Sequence, residues 1–113
     1  MKFALTIAAL VILTLIGLNL SKGNAATPAP ISVVDITNYA YSPDQLTVTE
    51  GQSVRFINHD DVAHTVTEKD NAFDSGPINT GKPWTYKFDK AGTYSYYCAI
   101  HPSMRGTITV TSP

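Results

Sequence analysis

Polar and apolar residues alternate at every second position along most of the chain after residue 30. A period of two is typical of β-strands that bury one face, and β-branched and aromatic residues strengthen the prediction. We predict strands over residues 31–36, 45–49, 53–57, 64–67, 82–88, 93–98 and 107–111. No segment after residue 25 has the period of an amphipathic helix.

Turn-forming residues separate these strands, at positions 42–44, 74–77, 79–81 and 90–92. About seven short strands with turns between them predict one all-β domain, built either as an antiparallel sandwich or as a small barrel. Residues 60–78 are the least regular stretch, and any short helix would lie there.

The first 25 residues have a different pattern, with a positively charged start, an almost continuously apolar run and a polar exit that contains small residues. This is the layout of a secretory signal peptide, so we predict export to the periplasm or the cell exterior. The predicted organisation is a signal peptide over 1–25, a leader over 26–30 and a single domain over 31–113. An uncleaved membrane anchor is the alternative, because the apolar run is nearly long enough to span a bilayer.

Charge and cysteine content narrow the possible functions. Without residues 1–25 the chain has 6 Lys and Arg against 9 Asp and Glu, a net charge of −3. No basic cluster is present, so we expect no nucleic-acid partner. The single cysteine, Cys98, stands in a chain predicted to enter an oxidising compartment, where a lone thiol tends to oxidise or pair. Cys98 is therefore a metal ligand, a catalytic nucleophile or an inert buried thiol.

The strand that precedes Cys98 predicts where its side chain points. At a period of two, Tyr94, Tyr96 and Cys98 share one face, and the bulky aromatic residues make that face the core. Cys98 should therefore point inward, which would protect a thiolate–metal bond and would equally suit an inert thiol. We also expect the hydroxyl of Tyr94 to bond back to the backbone near the preceding turn, as in a tyrosine corner.

Three potential ligands follow one another at spacings of three residues: Cys98, His101 and Met104. Pro102 prevents the strand from continuing, so this segment should form a loop that can aim all three side chains at one point. A thiolate, an imidazole and a thioether are donors that copper accepts in both of its oxidation states. A trigonal copper site also needs a second imidazole from elsewhere in the chain.

Two histidines can supply the second imidazole, His59 and His64. His64 lies between apolar residues at the start of a predicted strand, whereas His59 is flanked by Asn58 and Asp60, which are typical of a solvated loop. We therefore favour His64 as the ligand and expect His59 to be exposed.

The run over residues 98–106, with its Cys, His and Met at spacings of three and an Arg-Gly pair after them, resembles the short ligand loop of amicyanins within the cupredoxin family. The resemblance, which includes plastocyanin-like domains, extends over about residues 31–111. It implies an eight-stranded Greek-key β-sandwich that holds one copper ion (Cu2+/Cu+) at one end. The copper ligands that it implies are His64, Cys98, His101 and Met104.

The resemblance also implies a function, that of a blue-copper electron carrier which moves one electron between a donor and an acceptor redox protein and is not an enzyme. We expect a monomer whose partners dock near Ile100, His101 and Pro102, where an imidazole edge lies among apolar residues.

The sequence departs from the family pattern at Thr65. Amicyanins and plastocyanins usually carry Asn after the first ligand histidine, where its side chain braces the neighbouring loop. A hydroxyl can make a similar bond.

Two other functions stay open. A copper-delivery or storage protein with the same fold would release the ion to an acceptor, but its site typically uses Met and His rather than a buried thiolate. An enzyme, either a thiol hydrolase or a copper oxidase, is disfavoured because a nucleophilic thiol needs access to substrate. A multicopper oxidase would also need more than the 3 histidines of this chain.

Overall fold

The computed structural model describes residues 30–113, so the predicted signal peptide and nearly all of the predicted leader lie outside the described residues. Within residues 30–113 there is no helix that could cross a membrane. The described part of the chain forms eight strands: β1 (Ile31–Thr37), β2 (Ala40–Ser42), β3 (Gln45–Thr49), β4 (Gln52–Asn58), β5 (Thr67–Glu68), β6 (Pro83–Phe88), β7 (Gly92–Tyr97) and β8 (Arg105–Thr111).

The strands form two four-stranded sheets with the orders β2-β1-β4-β6 and β3-β8-β7-β5, which pack as a sandwich. This confirms the predicted all-β sandwich, but the sheets are mixed rather than antiparallel throughout. β1 pairs with β4 in parallel, and β3 pairs with β8 in parallel. The physical reason is that the chain crosses to the opposite sheet between these partners, and such crossovers let a strand return in the same direction.

Two strand predictions differ from the structure. β2 was not predicted, because only three residues form it before the chain reaches Pro43. Most of the predicted strand over residues 64–67 is absent, since β5 begins only at Thr67. His64 instead forms an isolated bridge with Ile78 through two backbone hydrogen bonds of 3.2 and 2.7 Å. Val66 of this segment is nevertheless fully buried, because its side chain belongs to the core between the two sheets.

Apolar side chains from both sheets meet in one core between them. In β4, for example, Val54 and Phe56 are fully buried while Arg55 between them is exposed. Full burial of such an apolar side chain stabilises the fold by about 1.5–3 kcal/mol. The aromatic side chains at alternate positions of β6 also pack in or against this core.

β7 carries the predicted inward face that ends at Cys98. Tyr96 and Cys98 are buried, and the Tyr94 hydroxyl donates a 2.8 Å hydrogen bond to the carbonyl of Lys90, which confirms the predicted tyrosine corner. Gly106 of β8 is the partner of Tyr96, and a Cβ atom there would overlap the phenol ring. Because Gly106 has no side chain, the ring of Tyr96 can lie against the backbone of β8 and fill the core there.

One end of the sandwich collects the candidate ligands. β1 and β4 finish there together because they run in parallel, and β7 finishes and β8 begins at the same end. The loops over residues 59–66 and 98–104 therefore lie beside each other.

Candidate metal centre

Cys98 lies immediately after β7 and is fully buried, as its position on the inward face predicted. Its Sγ atom accepts hydrogen bonds from two backbone N–H groups, those of Thr65 at 3.3 Å and of His101 at 3.4 Å. N–H groups directed at a sulfur favour its negatively charged form. The surroundings of Cys98 are thus suited to a thiolate.

His64 is also fully buried, and its Nδ1 atom lies 3.7 Å from the sulfur of Cys98. On the other side of the ring, Nε2 lies 2.8 Å from Oδ2 of Asp60. An ionised carboxylate can only accept a hydrogen bond, so Nε2 carries a hydrogen and Nδ1 is the ring nitrogen that faces the sulfur. A carboxylate behind a ligand imidazole fixes its tautomer and its orientation in this way.

Asp60 anchors more than the imidazole. Its carboxylate accepts the backbone N–H of Asn38 at 2.7 Å and that of Tyr39 at 2.9 Å. Burial opposes ionisation of Asp60, but these hydrogen bonds and the one from His64 outweigh it and hold the pKa of the carboxyl below its usual value.

The prediction that Asn58 and Asp60 belong to a solvated loop was wrong. Asn58 is fully buried, and its side-chain amide donates to the carbonyls of Val62 and Ile78 at 2.8 and 2.9 Å. The side chain of Asp60 is only 10% exposed. The physical reason is that a loop packed against the end of the sandwich needs internal partners for its buried backbone groups, and these two side chains supply them.

His59 lies apart from this cluster. Its side chain is 47% exposed, as expected, and its Nε2 atom lies 2.7 Å from a carboxylate oxygen of Asp35. Of the two candidate histidines, the structure brings His64 to the sulfur and leaves His59 on the surface.

The loop over residues 98–104 supplies the remaining candidates. The Nδ1 atom of His101 lies 3.9 Å from the sulfur of Cys98. Two backbone hydrogen bonds close the loop, from Cys98 to the carbonyl of Met104 at 3.2 Å and from Met104 to the carbonyl of His101 at 2.9 Å. Met104 is buried, whereas Pro102 at the outer bend is exposed. The loop therefore turns back on itself, as the proline predicted.

The donor atoms of His64, Cys98 and His101 lie within 4.8 Å of one another, close enough for one metal ion. Bonds of about 2.3 Å to sulfur and about 2.0 Å to an imidazole nitrogen, opened to about 120°, would separate the two donors by about 3.7 Å. The measured separations from the sulfur are 3.7 and 3.9 Å. These three residues therefore fit a shared ion, while the role of Met104 as a fourth ligand stays a prediction.

Thr65 braces the 98–104 loop through its hydroxyl, which accepts the backbone N–H of Ala99 at 2.8 Å. The same hydroxyl lies 2.8 Å from that of Thr67, which donates to the carboxylate of Asp74 at 3.0 Å. Because the hydrogen of Thr67 is used on Asp74, Thr65 must be the donor between the two hydroxyls. A directed chain of hydrogen bonds thus runs from the Ala99 amide to an exposed carboxylate.

Sequence reasoning missed two residues at this site. Asp60 precedes His64 by four positions, and a carboxylate near a candidate ligand histidine is a recognisable signal. Tyr39 gave no such signal, yet its ring centroid lies 5.1 Å from that of His64 and 4.8 Å from that of His101. Its position at the site depends on how the strands pair.

Comparisons with known proteins agree with this geometry. The family model described as "Cupredoxin-like domain" matches residues 6–110. The chain is 31% identical over 91 residues to amicyanin from Paracoccus versutus, covering 76% of this chain and 69% of the relative. It is 31% identical over 83 residues to plastocyanin from Scenedesmus fuscus, covering 62% of this chain and 85% of the relative.

Solved structures show the same similarity. A Cu(I) form of a mutant of amicyanin superposes with a TM-score of 0.67 at 32% identity, covering 77% of this chain and 86% of that chain. A copper-containing nitrite reductase from Thermus scotoductus has a TM-score of 0.72 at 27% identity over 80% of this chain but only 24% of its own. The resemblance drawn from the ligand loop is thereby confirmed, and the chain belongs to the cupredoxin-like domain family.

Proposed function

We propose that the protein is an exported blue-copper electron carrier that moves single electrons between redox proteins. The observation that carries this proposal is the convergence of one buried cysteine sulfur and two imidazole nitrogens within 4.8 Å at one end of the sandwich. A thiolate with two imidazoles and a weak thioether is the donor set of such copper sites. Copper, when bound, would supply the one-electron change between Cu2+ and Cu+.

The chain's own residues would keep this site rigid and dry. Cys98 and His64 are fully buried and already face each other, so little movement would be needed when an ion binds or changes charge. The backbone N–H groups of Thr65 and His101 stabilise negative charge on the sulfur. The buried Met104 would supply the thioether of this proposed donor set.

The proposed docking surface for the donor and acceptor proteins consists of Ile100, His101 and Pro102. Ile100 is 49% exposed beside His101, which is partly buried, so an imidazole edge lies within an apolar patch. Transient complexes between redox proteins bury little surface, so a small patch of this kind is sufficient for them. We propose that the protein acts as a monomer.

A carrier is favoured over an enzyme and over a copper-delivery protein by the burial of Cys98. A fully buried sulfur is closed to a substrate and to an acceptor that would take the ion itself. The amicyanin and plastocyanin relatives support the carrier, whereas the nitrite reductase matches this chain over only 24% of its own length. Measured transfer of copper to an acceptor protein would favour delivery, and reduction of nitrite would favour an enzyme.

Export through the predicted signal peptide over residues 1–25, with a domain over residues 31–113, is part of the same proposal. Its support is the pattern of the first 25 residues, and a membrane would be involved only if that segment stays attached. Determination of the N-terminal residue of protein recovered from the producing cells tests it. An N-terminus at Ala26 is expected, and an intact Met1 would favour the anchor.

Addition of Cu(II) to the purified protein tests the copper site. An intense blue absorption band with narrow copper hyperfine splitting in electron spin resonance is expected, and reduction should bleach it reversibly. The Cys98→Ala variant should lose the band, because the sulfur is its source in this proposal. A colourless wild-type protein, or a blue Cys98→Ala variant, would contradict the proposal.

The docking surface has its own test. Ile100→Glu places a charge in the apolar patch, so electron exchange with a small cupredoxin-reducing protein should slow several-fold while the visible spectrum stays unchanged. A matched control is Val33→Glu on β1, whose side chain is 43% exposed and distant from the metal end. Equal exchange rates in the two variants would place electron entry elsewhere.

A further inference from the structure

The turn between β1 and β2 carries an unusual residue. Thr37 pairs with Ala40 across a two-residue loop whose central residues, Asn38 and Tyr39, both have positive φ, 54° and 59°. This φ pattern is that of a type I′ turn, which favours Asn followed by Gly because glycine adopts positive φ without steric cost. Tyr39 therefore occupies a position where a side chain makes the turn less favourable.

Asp60 holds this turn from the neighbouring loop. One carboxylate oxygen accepts the N–H of Asn38 at 2.7 Å. The other oxygen accepts two hydrogen bonds, one from the backbone N–H of Tyr39 at 2.9 Å and one from the Nε2–H group of His64 at 2.8 Å. The carboxylate that orients one imidazole of the candidate site therefore also fixes the backbone from which the Tyr39 side chain projects.

The Tyr39 ring covers both imidazoles. It makes edge-to-face contacts with His101 at a centroid distance of 4.8 Å and with His64 at 5.1 Å, and the two imidazoles are 5.0 Å apart. Ring pairs are favourable in this arrangement at separations of about 4.5–7 Å. Because Tyr39 is itself 49% exposed, its ring closes this triangle on the solvent side.

The two imidazoles differ in what else holds them. His64 has the bond from Nε2 to Asp60, whereas Nε2 of His101 makes no hydrogen bond within the part of the chain that the structure describes. The orientation of the His101 ring therefore depends on packing, and Tyr39 supplies a ring contact from the solvent side.

We propose that Tyr39 is a positioning residue of the metal centre, whose ring fixes the orientation of the His101 imidazole. The inference rests on the proposed function, since it concerns a ligand of that site. An unfavourable backbone conformation that persists beside a site indicates a compensating role there. The contacts of the Tyr39 ring with His101 and His64 compensate for its positive φ, and glycine could not make these contacts.

Replacement of Tyr39 by glycine separates this role from a structural one. Tyr39→Gly suits the turn better, so the metal-free variant should unfold at the same temperature as the wild type or at a higher one. Its affinity for Cu(I), measured by competition with a chromophoric chelator, should nevertheless fall about tenfold, as is usual when a group that orients a ligand is lost. Tyr39→Phe keeps the ring and should stay within about twofold of wild type.

Two comparisons make the test specific. Val33→Ala shortens a similarly exposed side chain far from the site and should leave the affinity unchanged. In a His101→Gly background, Tyr39→Gly should cause a much smaller loss, because the contact with His101 is already gone and only the contact with His64 remains. Wild-type affinity in Tyr39→Gly, or an undiminished tenfold loss in the His101→Gly background, would overturn the proposal.

A measurement on the metal-free protein keeps this test independent of copper binding. Carbon relaxation of the His101 ring should report a rigid side chain in the wild type and in Tyr39→Phe, and a mobile one in Tyr39→Gly. Equal mobility in all three proteins would overturn the role of Tyr39. Failure of the wild type to bind copper would instead overturn the proposed function, whatever the ring mobility.

Discussion

Two histidine–carboxylate pairs of almost equal length lie near one another in the chain and differ in their burial. His59 and Asp35 are 2.7 Å apart, with side chains 47% and 50% exposed. His64 and Asp60 are 2.8 Å apart, with side chains 0% and 10% exposed. Distance alone would rank the two pairs as equivalent.

The two pairs differ in what they contribute to the protein, because one is exposed to solvent and the other is buried. Water and salt weaken an exposed pair, whose contribution to stability is typically about 0–1 kcal/mol. In the buried pair, the carboxylate fixes which imidazole nitrogen carries the hydrogen and leaves the other facing Cys98. Because it is buried, the hydrogen bond between Asp60 and His64 fixes the orientation of a candidate ligand, which an exposed pair of the same length would not do.

The largest expected contrast is between alanine substitutions of the two histidines. His64→Ala removes a nitrogen that faces the sulfur, so the blue band expected on addition of Cu(II) should be lost. His59→Ala should bind Cu(II) as the wild type does, because its ring lies on the surface. Titration followed by visible absorption measures both, with circular dichroism as the control for folding. A blue His64→Ala variant would remove the distinction between the two pairs.

Substitution of the two carboxylates should give a smaller contrast in stability. Asp60→Ala leaves the N–H groups of Asn38, Tyr39 and His64 without their acceptor, so the free energy of unfolding should fall by about 2–3 kcal/mol. Asp35→Ala should change it by less than about 0.5 kcal/mol. Urea unfolding of the metal-free proteins measures both, and equal losses would show that burial is not what separates the pairs.

The smallest expected effect concerns a buried hydrogen bond between two neutral hydroxyl groups, those of Thr65 and Thr67. Thr67→Val breaks the chain from Ala99 through Thr65 to Asp74 while keeping the shape of the buried side chain. The free energy of unfolding should fall by about 1 kcal/mol, and the Ala99 amide should exchange its hydrogen faster. Thr47→Val, on the exposed side of β3, is the matched control and should have no effect on Ala99. Unchanged exchange in Thr67→Val would mean that the chain does not brace the loop.

Much of the metal centre could be predicted from local patterns. The alternation along β7 was sufficient to place Cys98 inside, and it is fully buried. The proline at position 102 predicted the bend that brings His101 back towards the sulfur. The loop around Asn58 and Asp60 was predicted wrongly, because polar residues between strands resemble a solvated turn unless the partners that bury them are known.

The sequence by itself determined the strand faces, the inward thiol and the short loop with its three candidate ligands, because backbone geometry sets the side-chain period within a few residues. Only the tertiary structure decided that β1 and β4 run in parallel. That pairing brings the Asn38–Tyr39 turn to Asp60 and so places an aromatic ring over both imidazoles. Strand pairing depends on contacts between residues distant in the chain, so no local pattern could have assigned Tyr39 to this site.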